Sequence, residues 1–215
     1  MENLEPESRH SSRQGRIALT IILSVLVIDQ IIKIMVKTGM SLGESIDITS
    51  WFKILFVENN GMAFGMEIIG KLFLSLFRIG AIGFFIWYLI KILDKGFPKG
   101  YIVTVSFVIA GAVGNLLDCM FYGLIFTEST PFKVAAMTPL GDGYAPFLYG
   151  KVVDMFYFPL WTWPDWMPLV GGDIFFSPVF NFADSCITCG VIVLLLFYTK
   201  IVNMGLHYRN PDEED

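Results

Sequence analysis

Residues 17–36 read IALTIILSVLVIDQIIKIMV, a run of apolar and small side chains interrupted only by Asp29, Gln30 and Lys33. As a helix rising about 1.5 Å per residue, this run crosses the roughly 30 Å of bilayer hydrocarbon. Arg9, Arg13 and Arg16 precede it as they would a secretory leader. No small-residue cleavage site follows Ile28, however, and the apolar pattern resumes after Gln30, so the segment reads as a retained anchor. An ionisable group at membrane depth costs about 3 kcal/mol on insertion scales. Asp29 and Lys33 therefore need a reason to be there, and their i, i+4 spacing gives them one helix face.

Three further stretches, 72–92, 101–120 and 184–202, repeat the pattern. Across all 215 residues, 54% of side chains are hydrophobic and 16% charged, against roughly 25% charged in a soluble domain. This excludes a soluble globular enzyme. The net charge is −5 and no basic stretch exists to neutralise a phosphate backbone, so nucleic acid is not an expected partner. The acids cluster in terminal tails, Glu2 to Glu7 and Asp212 to Asp215. Lys and Arg gather before the first span, between the second and third, and after the fourth, which places both termini in the cytoplasm and connections 37–71 and 121–183 outside. The expected fold is an all-α membrane protein, a four-transmembrane-helix bundle forming one integral membrane domain over 1–215, with a small β element. Trp51 to Val57 has the content of a short strand before a turn at Asn59, Asn60 and Gly61. Trp161, Trp163 and Trp166 suit a segment at the lipid interface.

Little conventional chemistry is available. The histidines, His10 and His207, sit near the ends, and Cys119, Cys186 and Cys189 lack the spacing of a zinc site, Cys186 and Cys189 reading as buried helix positions. No metal or cofactor is expected. Depth is more informative. Counted from Ile17, Asp29 lies about 18 Å and Lys33 about 24 Å across. Asn115 and Asp118, on one face by their i, i+3 spacing, fall near the outer end of the third span, and Asn181 and Asp184 at the outer mouth of the fourth. Arg78 lies about 10 Å below the outer end of the second, as a snorkelling cation or a counter-charge. Each alone reads as an ion pair, cap or interhelical contact. Mere packing gives no reason for them to share a leaflet, so a polar site near the outer surface is expected. An ion-coupled transporter relaying through Asp29, Lys33 and Asp118 is the competing reading, against which the chain shows no internal repeat. An assembly protein packing through Gly80, Gly83, Gly111 and Gly114 is another. A presenilin-type protease has only a loose echo at Leu140, Gly141 and Asp142, which reads as a surface turn.

Five segments occur in one order against these spans: Asp29 with Lys33; Asn59, Asn60, Gly61, Met62, Ala63, Phe64; Gly114, Asn115, Leu116, Leu117, Asp118; Val152, Val153, Asp154; and Phe180, Asn181, Phe182, Ala183, Asp184. Together they resemble the lipoprotein signal peptidases, or type II signal peptidases, of bacterial plasma membranes. The resemblance implies an aspartic endopeptidase of the inner membrane; no cofactor is expected, and a monomer is the expected state. It would cleave diacylglyceryl prolipoproteins just before the lipidated cysteine, near the extracytoplasmic face. It further implies Asp154 and Asp184 as the catalytic pair, with Asp118 supporting. Asn59, Gly61 and Ala63 would belong to an extracytoplasmic β-sheet platform that cradles substrate, and Asn115 and Asn181 would orient the site. Asp29, Lys33, Arg78, Gly114 and Ala183 complete the expected surroundings. In two places the chain departs from the family. Cys119 stands where an Arg usually follows the aspartate of the third motif, which makes Arg78 and Lys151 candidates for the missing charge. The segments 118–154 and 154–184 are longer than usual and could form a lid or interfacial element.

Overall fold

The computed structural model describes residues 6–60 and 70–208, so Gly61 and Ala63 lie outside the described residues. Helix α1 (Pro6–Gly39) leads into strands β1 (Ser45–Asp47) and β2 (Lys53–Asn59). Helices α2 (Lys71–Asp94) and α3 (Lys99–Leu117) follow, the latter continuing through a π-helical turn (Asp118–Tyr122) into α4 (Gly123–Ile125). Then come β3 (Val152–Tyr157), β4 (Trp161–Thr162), β5 (Ile174–Phe175), β6 (Val179–Phe180), α5 (Phe182–Phe197) and α6 (Thr199–Met204).

Along α1, Leu19, Leu23, Val27, Ile31 and Met35 form an exposed apolar stripe, while Asp29, Lys33 and Lys37 are fully buried on another face. In water this arrangement is inverted; against lipid tails it costs nothing, because Leu and acyl chain are equally apolar. Among the described residues, three single helices are long and apolar enough to cross a membrane: Ser11–Gly39, Lys71–Asp94 and Lys99–Ile125. Over the fourth expected span, 184–202, the structure has a bent pair, Phe182–Phe197 with Thr199–His207, which taken together is long and apolar enough to count as a fourth crossing. The first of the two starts two residues before the expected span, and the chain bends by 87° between them. Sixteen residues reach only about 24 Å, so α5 alone falls short of the hydrocarbon thickness. At the break the Tyr198 ring packs edge-on to Tyr101 with centroids 5.5 Å apart, and the Thr199 hydroxyl takes the Leu195 carbonyl.

The chain divides into two compact units. The first (Met1–Ile28, Leu76–Asn115, Ala183–Asp215) has a core of Ala18, Leu89, Ile92, Phe97, Tyr101, Ile102, Val105, Ile109 and Tyr208. Here α3 and α5 approach at Gly111, where an added Cβ would lie 2.7 Å from Ile187 Cγ1; small residues let membrane helices touch in this way. Gly80 and Gly83, by contrast, face open space. Cys186 is buried, but Cys189 is exposed, correcting the expectation for that cysteine, because the α5 helix turns it outward.

The second unit (Asp29–Ser75, Leu116–Phe182) is built on an antiparallel sheet of order β1-β2-β3-β6. Val36, Met40, Phe56, Tyr122, Phe126, Val153 and Met155 pack beneath it. Strand β2 runs two residues past the expected strand, and β3 to β6 add ordered structure to a stretch read from sequence as connection. β4 and β5 form a separate ribbon with Trp161 stacked on Phe175 at 3.9 Å, leaving Trp166 and Leu169 exposed. The long connection is stitched to the π-helical turn. Such a turn shifts the ladder from i→i+4 to i→i+5, and the Cys119 carbonyl accepts from Gly150 N–H at 2.9 Å, as Gly123 does from Ala145 at 2.9 Å. A Cβ at position 150 would sit 2.9 Å from Gly123 N and 3.1 Å from Cys119 O, so only glycine fits there.

Candidate active site

Within the second unit, the side chains of Asp29, Lys33 and Asp118 are all fully buried. Lys33 Nζ lies 2.9 Å from Asp29 Oδ2 and 2.9 Å from Asp118 Oδ2. Gln30 Nε2 donates to Asp118 Oδ1 at 2.9 Å, and Tyr122 Oη donates to Gln30 Oε1 at 3.1 Å. Asp118 Oδ2 also accepts the Val153 backbone N–H at 3.3 Å. β2 lies opposite Val153 on one side of β3, while β6 pairs with β3 only at Phe156 and Tyr157, so the Val153 N–H is taken by a carboxylate from the helical turn and not by β6. The cation facing Asp118 is therefore Lys33. Asp118 ties α1, through Lys33 and Gln30, to the π-helical turn and to the strand that carries Asp154, while Asp29 pairs with Lys33 along α1.

Asp154 lies on β3, opposite Val57 of β2, and is almost completely buried. Asn59 Nδ2 donates to its Oδ2 at 3.1 Å and Asn181 Nδ2 to its Oδ1 at 2.7 Å. Both oxygens thus accept from neutral amides. In the first unit Asp184 sits in the first turn of α5, half-buried, with Asn115 Nδ2 donating to its Oδ1 at 2.7 Å. Ala183 and Gly114 are buried beside these motifs, and Arg78 is half-buried on α2. Each candidate carboxylate is thus held by an asparagine from a different element. Amide donors of this kind fix the direction in which each carboxylate points.

Several participants were not singled out by sequence. Gln30 and Tyr122 complete the shell of Asp118, and their only signal is position: Gln30 follows Asp29, and Tyr122 lies four residues beyond Asp118. Lys37, four residues past Lys33, lay outside the counted span. Its Nζ is 2.5 Å from Glu58 Oε1, which also accepts from Ser129 Oγ at 2.9 Å, while Lys151 Nζ is 3.1 Å from Glu58 Oε2. Lys151 therefore serves Glu58, and more distantly Glu128 at 3.9 Å. Cys119 is buried and its backbone carbonyl is engaged by Gly150. Among the described residues, no group of three or more His, Cys, Asp or Glu is placed to hold a metal ion.

Burial, the strongest influence on Glu58, pushes its carboxyl up, but the hydrogen bond and charge of Lys37, then Lys151, outweigh it and hold the carboxyl below its ordinary value of 4.5. A carboxyl lowered in the folded state stabilises the fold fully above its unfolded value and loses that contribution as pH falls through the folded one. Thermal unfolding in micelles should therefore show stability declining below pH 4.5. Glu58→Gln should flatten that part of the decline, and an identical slope in the variant would refute the assignment.

Comparison with known proteins places this geometry in context. Residues 21–200 match the family model described as signal peptidase (SPase) II. A lipoprotein signal peptidase of Porphyromonas gingivalis is 50% identical over 198 residues, covering 90% of this chain and 87% of the relative. Another, from Amoebophilus asiaticus, is 35% identical over 82% of this chain and 75% of its own length. A solved structure described as a bacterial membrane enzyme superposes with a TM-score of 0.56 at 24% identity, covering 85% of this chain and 92% of that one. This last likeness concerns the fold.

Proposed function

Since the chain belongs to the signal peptidase II family, we propose that its protease activity on lipoprotein precursors is carried by Asp154 and Asp184 acting as an aspartic pair. The observation that carries this reading is the asparagine scaffold. Asn59 and Asn181 both donate to Asp154, Asn115 donates to Asp184, and Asn181 precedes Asp184 by only three residues of chain. By contrast, Asp29 and Asp118 are committed to Lys33, which suits them to structure better than to proton transfer.

Peptide hydrolysis by carboxyls alone needs a base to activate water and an acid to polarise the carbonyl. Two neighbouring carboxyls resist joint ionisation, so the pair carries one proton between them. The ionised member takes a proton from water as it attacks the scissile carbonyl, while the protonated member hydrogen-bonds the developing oxyanion. As the tetrahedral intermediate collapses, a proton passes to the leaving amine.

The substrate assigned is a prolipoprotein whose cysteine carries diacylglyceryl, cut just before that residue. Its acyl chains stay in the outer leaflet of the inner membrane, so the scissile bond lies near the extracytoplasmic interface, where the sequence places both aspartates. The exposed Trp166 and Leu169 beyond β4 suit an interfacial position on that side. The enzyme is proposed to act as a monomer with both termini cytoplasmic. Purified protein should convert a diacylglyceryl prolipoprotein to a product whose N-terminus, by mass spectrometry, is the lipidated cysteine. The same precursor without diacylglyceryl should be cut at least about tenfold more slowly, since the lipid's binding energy is lost. Equal cleavage of both, or a different cut site, refutes the assignment.

A further inference from the structure

Successive residues of a strand point to opposite faces, and the last two residues of β2 use this. Asn59 faces Asp154 and donates to it at 3.1 Å. Glu58, opposite Val153, points to the other face, with Phe56 and the core beneath the sheet. There it is gripped from two sides. Lys37 of α1 reaches Oε1 at 2.5 Å and Ser129 Oγ at 3.0 Å. Lys151, just before β3, reaches Oε2 at 3.1 Å. Both ammonium groups lie over the Tyr144 ring, 5.0 and 5.4 Å from its centroid, and Tyr144 Oη accepts the Lys151 backbone N–H at 2.6 Å. Burial, the strongest influence on the Tyr144 hydroxyl, pushes it well above the usual phenol range, so it stays protonated.

Buried ion groups of this kind add little stability over apolar side chains of equal volume, because desolvation offsets the attraction. Their advantage is fixed geometry. A register slip of one residue in a strand moves every side chain to the opposite face; at this strand end it would take Asn59 off Asp154 and turn it into the core. A carboxylate held at the penultimate residue by two cations from separate segments blocks that slip. Ser129, Tyr144 and Lys151 all come from the long connection between α4 and β3, which thereby gains a role.

We propose that Lys37, Glu58 and Lys151 form a positioning clamp on the rear face of the sheet, fixing the end of β2 in the register at which Asn59 donates to Asp154. This inference rests on the assignment of Asp154 to catalysis. The test uses the charge-balanced double variant Lys37→Met with Glu58→Gln in full-length purified protein, assayed on a diacylglyceryl prolipoprotein peptide. Its kcat should fall roughly 10- to 100-fold, the scale of a catalytic group slightly misplaced, with KM within about threefold, as expected when ground-state binding is spared. The acid limb of its pH–rate profile should move to higher pH, as it should in Asn59→Ala, because each loses a donor that favours the ionised carboxylate. Lys37→Glu with Glu58→Lys, which restores the pair, should recover part of kcat. Wild-type kcat and acid limb in the balanced double variant, with Asn59→Ala impaired, would overturn the clamp. Should that variant fail to fold, Lys151→Met, at the more exposed end of the cluster, provides the same readouts, and an unmoved acid limb there overturns it equally. Cleavage retained by Asp154→Asn would instead sink the catalytic assignment.

Discussion

Asp154→Asn and Asp184→Asn should each lower kcat by about 10⁴-fold or more while the purified protein keeps its thermal unfolding midpoint and inserts in the membrane. Acid–base groups contribute about 10² to 10⁴ each, and a pair that works as a unit loses both contributions when one member is removed. Asparagine is close to aspartate in shape, so packing changes little. At Asp154 both oxygens accept from amide N–H groups; the Asn oxygen can keep one such bond, while its NH₂ faces a donor that Asn59 or Asn181 must turn away by flipping its own amide. Asp184 is half-buried with a hydrogen bond from Asn115, and the same exchange is available there. Stability is thus nearly conserved and chemistry is not. Turnover on a diacylglyceryl prolipoprotein peptide, measured beside unfolding curves of the same preparations, separates the two effects. Activity within tenfold of wild type in either variant removes that residue from the catalytic role.

Legibility in the sequence followed the physics. Span length and apolarity are properties of contiguous residues, so the three segments around 17–36, 72–92 and 101–120 could be read directly and differ from the helices mainly at their ends. The break at Tyr198 could not be read, because no proline or glycine marks it; at that point the Tyr198 ring meets Tyr101, almost a hundred residues away in sequence. Polar residues at membrane depth stood out for the cost of placing them there, which is why Asp29, Lys33, Asn115 and Asp118 were visible. Lys37 and Glu58 were not. A lysine one residue past a counted span passes for a headgroup anchor, and a glutamate in a half-exposed strand passes for surface. Only the fold shows the two 2.5 Å apart and almost wholly buried. The roles of Asp118 and Asp154 could not be separated by depth, since the charge pattern of the sequence assigns both to the outer side. Their partners separate them: a buried ammonium and a backbone N–H for Asp118, two neutral amides for Asp154.

The same contrast yields the largest expected effect on stability. In Lys33→Met, two fully buried carboxylates lose the cation they share. Gln30 bonds to both, Nε2 lying 3.2 Å from Asp29 Oδ2 and 2.9 Å from Asp118 Oδ1, but its amide is neutral. Removing one partner of a buried ion group costs about 3–5 kcal/mol, because the remaining charge is left uncompensated. For an ordinary domain, with about 5–15 kcal/mol of total stability, that is enough to deplete the folded protein from the membrane. Asp118→Asn should be far milder. It leaves Lys33 with Asp29 as a neutral pair 2.9 Å apart, and the Asn oxygen can still accept from Val153 N–H. Asp118→Asn is therefore expected to fold, to unfold at a somewhat lower temperature, and to keep cleavage within about 10- to 100-fold of wild type through a slightly displaced β3. Melting curves in micelles should rank the variants Asp154→Asn, Asp118→Asn, Lys33→Met from most to least stable. Activity should rank the folded ones in the other direction, with Asp118→Asn above Asp154→Asn. If Lys33→Met melts with the wild type, the buried carboxylates do not depend on that ammonium, and the structural role assigned to Asp29 and Asp118 fails with it.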